Sequence, residues 1–245
     1  MQFRIRWLKG RVARCRRYGA ISLAMGTMLI VSSALSGDFL EPLAPQIAAA
    51  VVAAEKLPAE RQQLLRAAAD AIAMQLAEHK QASLIFICTA NSRRSQLGQV
   101  WGKIAAAHYG LVGIETYSGG TEASACNPRT VSALRRAGFT VSEPTAGDNP
   151  RYYLLFAENQ PALQLYSKRF SHPANPQRDF VAMMCCDDAD EACPMVAGAV
   201  ARISLSYADP KSADGTPGED AAYDERSRQI AAEMFFLMGK VADPR

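Results

Sequence analysis

Eight consecutive residues, Cys88-Thr89-Ala90-Asn91-Ser92-Arg93-Arg94-Ser95, combine a thiol with two arginines and a set of small polar side chains. A cysteine becomes a nucleophile as its thiolate, which positive charge or a helix N-terminus favours. The backbone N–H groups that open a helix also cradle a tetrahedral oxyanion, and an arginine there can close a bidentate fork on it. Cys88 is therefore a candidate nucleophile and Arg94 a candidate oxyanion clamp. Ser95 can donate to the sulfur and Asn91 can hold the turn, while Thr89, Ala90, Ser92 and Arg93 complete the candidate cradle. A cysteine and an arginine at this spacing are common by chance, so the weight falls on the setting. The plain alternative is a buried strand-end cysteine followed by solvated arginines. Three further thiols, Cys185, Cys186 and Cys193, lie within nine residues. In a chain of this size such a cluster suits reactive thiols in a reducing, cytoplasmic setting better than a disulfide framework. His79, His108 and His172 are scattered without metal-ligand spacing, so no metal is expected.

The elements around these residues put them in one place. "SLIFIC", residues 83–88, is almost wholly apolar, as a strand buried on both faces of a parallel sheet must be. A helix over 95–109 comes next, with Leu97, Val100, Trp101 and Ile104 on one side. "IETYSGG" reads as a second strand. "NPRTVSALRRAG" reads as a helix with Asn127 as cap, Pro128 in its first turn and Gly138 at its end. "YYLLF" and "LQLYSKRF" form a hairpin, in which Tyr152, Tyr153 and Tyr166 could wall a pocket or simply pack. "DFVAMMCC" and "ARISLSY" are two more strands, and residues 219–241 close the chain as an amphipathic helix. Upstream, helices are expected over about 43–54 and 58–79, packed on the strand-and-helix domain that begins at Ser83. The alternation predicts an α/β fold: a four-stranded, doubly wound parallel sheet with flanking helices, an inserted β-hairpin and an N-terminal helical extension. Functional sites in such sheets lie at the carboxyl ends of the strands. Cys88, Gly119, Cys186 and Tyr207–Asp209 all fall there, in one expected crevice.

The composition, 49% hydrophobic and 21% charged over 245 residues, is that of a globular domain. The net charge of +3 is concentrated at the start. Residues 1–17 hold seven of the 27 basic residues and no acidic one, which leaves 20 against 24 acidic residues elsewhere. The body is mildly acidic, and nucleic-acid binding is not expected. Residues 19–37, "GAISLAMGTMLIVSSALSG", are uncharged and end in small residues. Together, 1–36 resemble a secretory signal or short anchor, which would mean export or a membrane tether through 19–36; a buried helix, and non-native sequence upstream of a start at Met25 or Met28, are the other readings. The division expected is thus 1–36 signal-like or anchor segment, 37–82 helical extension and 83–245 catalytic domain.

"FICTANSRRSQLGQVWGK" resembles the active-site loop of the low-molecular-weight protein tyrosine phosphatases and of the related thioredoxin-coupled arsenate reductases. The likeness continues through "YSGGTEASACNPRTVSALRRAGF", "MMCCDDADEACP" and "YADP". It implies Cys88 as nucleophile, Arg94 as clamp, Asn91 and Ser95 as supports of loop and thiolate, and Asp209 as the general acid at the leaving oxygen. Both families begin with attack of the thiolate on phosphate or arsenate. A phosphatase then hydrolyses the intermediate with water, whereas a reductase needs a second thiol to displace arsenite and a third to form a disulfide. Cys186 and Cys193, with six residues between them, resemble the reductases' redox segment. A flexible loop there would let Cys186 reach Cys88 and then pair with Cys193. The preferred reading is an arsenate reductase of arsenical resistance with no bound cofactor and a thioredoxin-type reductant. The alternatives are a low-molecular-weight phosphatase and a non-catalytic oxyanion sensor. Ala90, Arg93, Gln99 and Ala208 stand where these families usually carry glycine, cysteine, glutamate (in the reductases) and aspartate.

Overall fold

The computed structural model describes residues 39–193 and 195–243; the signal-like segment expected at 1–36 lies outside the described residues. In chain order the elements are α1 (Ala44–Ala54), α2 (Ala59–His79), β1 (Ala82–Cys88), α3 (Arg94–His108), β2 (Ile114–Gly120), α4 (Pro128–Arg136), β3 (Thr140–Val141), β4 (Tyr152–Leu155), β5 (Leu163–Leu165), β6 (Phe180–Met184), α5 (Asp187–Ala192), β7 (Ala199–Ser204) and α6 (Glu219–Ala242). Both upstream helices form where their apolar spacing predicts them. In α4 the Asn127 side chain accepts from the Arg129 amide, and Gly138 takes φ of 100° just beyond the helix end.

Four strands make a parallel sheet in the order β2-β1-β6-β7. Every residue of β1 is buried except Ser83, as its central place requires. Register sets Cys88 beside Gly120 and Ile87 beside Met184, so β1, β2 and β6 end at the same edge. The hairpin is present as β4 and β5, and β3 adds a third antiparallel strand that two residues of sequence could not announce. The strand expected to run through Cys186 stops at Met184.

Helix α3 lies on β1 and β2, and α2 lies against β1, β6 and β7. Close approach of α3 depends on Gly98, where a Cβ would stand 2.4 Å from the Phe86 ring. Helix α6 packs against α1, α2, α3 and α4, so Tyr223, Ile230, Met234, Phe235 and Leu237 are all fully buried. On α2, Leu65 and Ile72 are equally buried, each contributing about 1.5–3 kcal/mol relative to exposure. The helical extension is thus part of the same core as the sheet. No helix among the described residues is long and apolar enough to cross a membrane.

Candidate active site

Between the end of β1 and the start of α3 the chain turns a tight loop around Cys88. The turn is made at Asn91, which is fully buried with φ of 46°. Asparagine tolerates this left-handed conformation better than most residues. Ala90 is not among the residues with positive φ, so its Cβ carries no backbone strain. Each carbonyl from Cys88 to Arg93 is turned outward and satisfied. Cys88 and Thr89 accept from the Thr121 and Glu122 amides, Ser92 from the Asn127 amide and Arg93 from that of Leu97. Ala90 accepts from the Ser167 hydroxyl at 2.9 Å, and Asn91 from the Gln96 amide group at 2.9 Å. With the carbonyls so committed, the loop amides are the backbone groups left to hold an oxyanion. Gly120 is required here: a Cβ would lie 2.5 Å from the Thr89 carbonyl and 2.8 Å from the Asn91 amide nitrogen.

Ser95 lies 3.1 Å from the Cys88 sulfur and accepts from Asn91 Nδ2 at 2.8 Å. That acceptance leaves the Ser95 proton for the sulfur. Asn91 Oδ1 in turn accepts from the Lys168 amide. Arg94 is buried and donates through Nη1 to the Tyr207 carbonyl at 2.9 Å and through Nη2 to Asp209 Oδ2 at 2.8 Å. Its Nε has no hydrogen-bond partner among the described residues. One edge of the guanidinium is therefore held by the protein while Nε is left for a ligand. Arg93 turns to the Tyr223 hydroxyl at 2.7 Å and to Asp214 at 3.3 Å. Asp209 caps the short turn after it by accepting from the Lys211 amide.

A cleft of about 300 Å³ joins Cys88, the loop residues Thr89, Ala90 and Ser92, both arginines, and Asp209. Asp188, on α5, also reaches it. Cys185 and Cys186 are both buried. Burial, and next the neighbouring Cys88 and Cys186 thiols, push the Cys185 thiol well above its ordinary range. The Cys186 sulfur is 3.5 Å from the Thr89 hydroxyl, against the Cys88 loop. Cys193 is half-buried at the other end of α5. The segment expected as a flexible loop is a correction: residues 187–192 are helical, with acidic residues in the first turn, where they complement the helix dipole.

The structure brings Cys88, Asn91, Arg94, Ser95 and Asp209 together and sets Cys186 beside them. It does not gather Gly119, which backs onto Phe170, or Tyr153, which is exposed. Tyr152 is core, and only Tyr166 lines a cleft, separate from that of Cys88. Three supporting residues escaped the sequence reading. Gln96 ties the loop to the Tyr166 carbonyl. Glu233 accepts from the Tyr207 hydroxyl at 2.8 Å, and Arg61 of α2 donates to the same Glu233 oxygen at 2.7 Å. Only Gln96, three residues beyond Arg93 and next to Ser95, carried a positional signal.

Residues 83–148 match the low molecular weight phosphotyrosine protein phosphatase family. An arsenate reductase of Bacillus licheniformis is 33% identical over 151 residues, which is 62% of this chain and 90% of that protein. An arsenate reductase of Shouchella clausii is 33% identical over 136 residues, 56% of this chain and 79% of its own. A low molecular weight phosphotyrosine phosphatase from Vibrio cholerae O395 is similar over 66% of this chain and 98% of its own, at 12% identity and a TM-score of 0.46.

Proposed function

The chain belongs to the low molecular weight phosphotyrosine protein phosphatase family, and from that premise we propose that it is an arsenate reductase working through Cys88, Cys186 and Cys193. The observation that carries this reading is the Cys186 sulfur, 3.5 Å from the Thr89 hydroxyl in the loop of the nucleophile. Phosphate-ester hydrolysis needs no thiol from α5, whereas arsenate reduction needs one within reach of Cys88. In the proposed sequence arsenate occupies the cradle, with Arg94 Nε and the loop amides on its oxygens. The Cys88 thiolate forms a sulfur–arsenic bond as a protonated arsenate oxygen leaves as water. The Cys186 thiolate then attacks the Cys88 sulfur. The electron pair of the sulfur–arsenic bond passes to arsenic, which departs as arsenite, and a Cys88–Cys186 disulfide remains. Cys193 attacks Cys186, releasing Cys88 as thiolate, and a dithiol protein of the thioredoxin class reduces the final disulfide. Asp209, in the cleft beside Arg94, is the proton donor to the leaving oxygen.

Cys186 and Cys193 cap opposite ends of α5. Seven residues at about 1.5 Å rise separate their α-carbons by about 10 Å, whereas a disulfide needs about 4.4–6.8 Å. The last exchange therefore requires α5 to unwind. The second reading, a phosphatase using Cys88, Arg94 and Asp209 alone, is favoured by the completeness of those three without any thiol from α5.

The test is arsenate-dependent oxidation of NADPH coupled through thioredoxin and thioredoxin reductase, run beside aryl-phosphate hydrolysis on the chain and on Cys186→Ser. Arsenate turnover that Cys186→Ser abolishes, with no loss of any hydrolysis, supports the reductase. Hydrolysis alone, indifferent to Cys186→Ser, replaces it with the phosphatase. A cytoplasmic setting fits the proposed relay, because five free thiols are present among the described residues.

A further inference from the structure

Beside the Cys88 cleft, past Ala90 and the 122–124 turn, a second cleft of about 450 Å³ opens between the hairpin and the segment leading to β6. Arg151, Lys168, Arg169 and His172 line it, and no carboxylate does. The contrast with the first cleft is one of pairing. There Arg94 meets Asp209 and Arg93 meets Asp214. Here neither Arg151, Lys168 nor Arg169 is in an ion pair with any described residue. Arg151 and Lys168 instead lie 4.7 and 4.5 Å from the centre of one ring, Tyr166. A ring attracts each cation, but its weak field does not cancel two positive charges held beside a third.

Lys168 makes the imbalance most acute. Its side chain is 5% exposed; the buried Cys126 thiol lies near, and the ammonium has one hydrogen-bond partner among the described residues, the Ser118 hydroxyl at a long 3.5 Å. Burial pushes it down to about 8. A buried ammonium ordinarily costs stability unless it is paired, and the body of this chain has acidic residues to spare. Asn149 is already committed on the cleft wall, exchanging two hydrogen bonds with the Ser167 backbone. The wall is thus built and rigid while its charge is unmet.

We infer that this cleft is an anion-binding site for a phosphate-class oxyanion, held by Arg151, Lys168 and Arg169 and distinct from the cradle at Cys88. The two sites share a wall. The Ser167 hydroxyl donates to the Ala90 carbonyl at 2.9 Å, and the Lys168 amide donates to Asn91 Oδ1 at 2.9 Å. Residues 167 and 168 therefore join the wall of the second cleft to the back of the Cys88 loop. The group is either a free ion or a second anionic group of the substrate bound at Cys88.

Inorganic phosphate titrated calorimetrically into the whole chain tests the site. Two binding events are expected, of which Arg94→Ala removes one. The double variant Arg151→Gln/Arg169→Gln weakens the other at least tenfold. Both side chains are exposed and without side-chain hydrogen bonds among the described residues, and the double variant loses only the ring contact of Arg151 with Tyr166, so it stays folded with a thermal midpoint little changed. Lys56→Gln/Arg178→Gln removes the same charge elsewhere and leaves both events intact. A single event, lost in Arg94→Ala and untouched by the double variant, overturns the site while sparing the proposal for Cys88. Equal weakening by the control pair overturns it as well, as a general charge effect. A doubly phosphorylated peptide against its singly phosphorylated form separates the sources. A tenfold preference lost in the double variant places the group on the substrate, equal affinities place it in solution, and both keep the site.

Discussion

Arg202→Met is expected to make the proposed Cys186–Cys193 disulfide harder to reduce. Arg202, on β7, holds the C-terminal end of α5. Its Nη2 donates to the Asp190 carbonyl at 2.6 Å and lies 2.7 Å from the Asp190 carboxylate, and its Nε donates to the Cys193 carbonyl at 3.0 Å. A cation at a helix C-terminus satisfies carbonyls that have no partner within the helix. All three contacts belong to the helical form, and that form cannot carry the disulfide. They consequently stabilise the dithiol and raise the reduction potential. Hydrogen bonds to charged groups contribute about 1.5–3 kcal/mol each when buried. With side chains 25% and 24% exposed, the group together is worth about 1.5–3 kcal/mol. For a two-electron couple about 1.4 kcal/mol corresponds to 30 mV, so the variant's potential falls by about 30–65 mV. The assay is equilibration of the chain, with Cys88→Ser to isolate the pair, in graded dithiothreitol buffers, read by thiol alkylation and mass. A potential unchanged within about 5 mV, or one that rises, would refute the claim that α5 must open for this bond.

Other perturbations test the scaffold. Arg61→Met leaves Glu233, 1% exposed, without its cation. Urea denaturation should show a loss of about 2–4 kcal/mol, below the fully buried case because Arg61 is 19% exposed; a loss under about 0.5 kcal/mol would count against the network, and Glu233→Gln in the same chain should recover part of it. Gly98→Ala drives a methyl into the Phe86 ring and is expected to cost about 1–3 kcal/mol by thermal unfolding, an unchanged midpoint being the contrary result. Lys168, pushed by burial from 10.5 to about 8, holds fewer protons folded than unfolded between those values. Stability should therefore rise by about 2 kcal/mol from pH 7.5 to 9.5 relative to Lys168→Met, and parallel pH profiles for the two proteins would contradict this.

Local patterning explains why so much of the framework was legible. An apolar run long enough for one buried strand, an Asn-Pro start and a glycine stop each act over a few residues, and β1, α3, β2 and α4 obey them. The loop residues Cys88, Asn91, Arg94 and Ser95 were legible for the same reason, since the strand and helix that aim them are their neighbours. Helix α5 was not. Six residues are too few for an apolar period, so the stretch between the two cysteines carries no helical signal of its own. The partners of Arg94 were equally hidden. Asp209 reached the candidate set through resemblance, and nothing local announced its salt bridge. Arg61 and Glu233, 172 positions apart, meet only because α2 and α6 share a core. The unpaired cations of the second cleft were invisible too, because pairing depends on which carboxylates arrive from elsewhere.

The packing of α2 on α6 also governs when this protein can finish folding. Helix α2, with Leu65 and Ile72 fully buried in the native state, is synthesised long before α6, which packs on it together with the sheet. Ribosomes add about 5–20 residues each second, so the roughly 160 residues from the end of α2 to the end of α6 take about 8–30 s. During that interval β1, β2 and the Cys88 loop can form, while the sides of α1 and α2 that meet α6 wait uncovered, a state open to chaperones and to aggregation. Closure of this core comes last, after translation has passed Ala242, and the non-local contacts that seal it make it slow. A circular permutant that places α1 and α2 directly after α6 would turn that long wait into a local step.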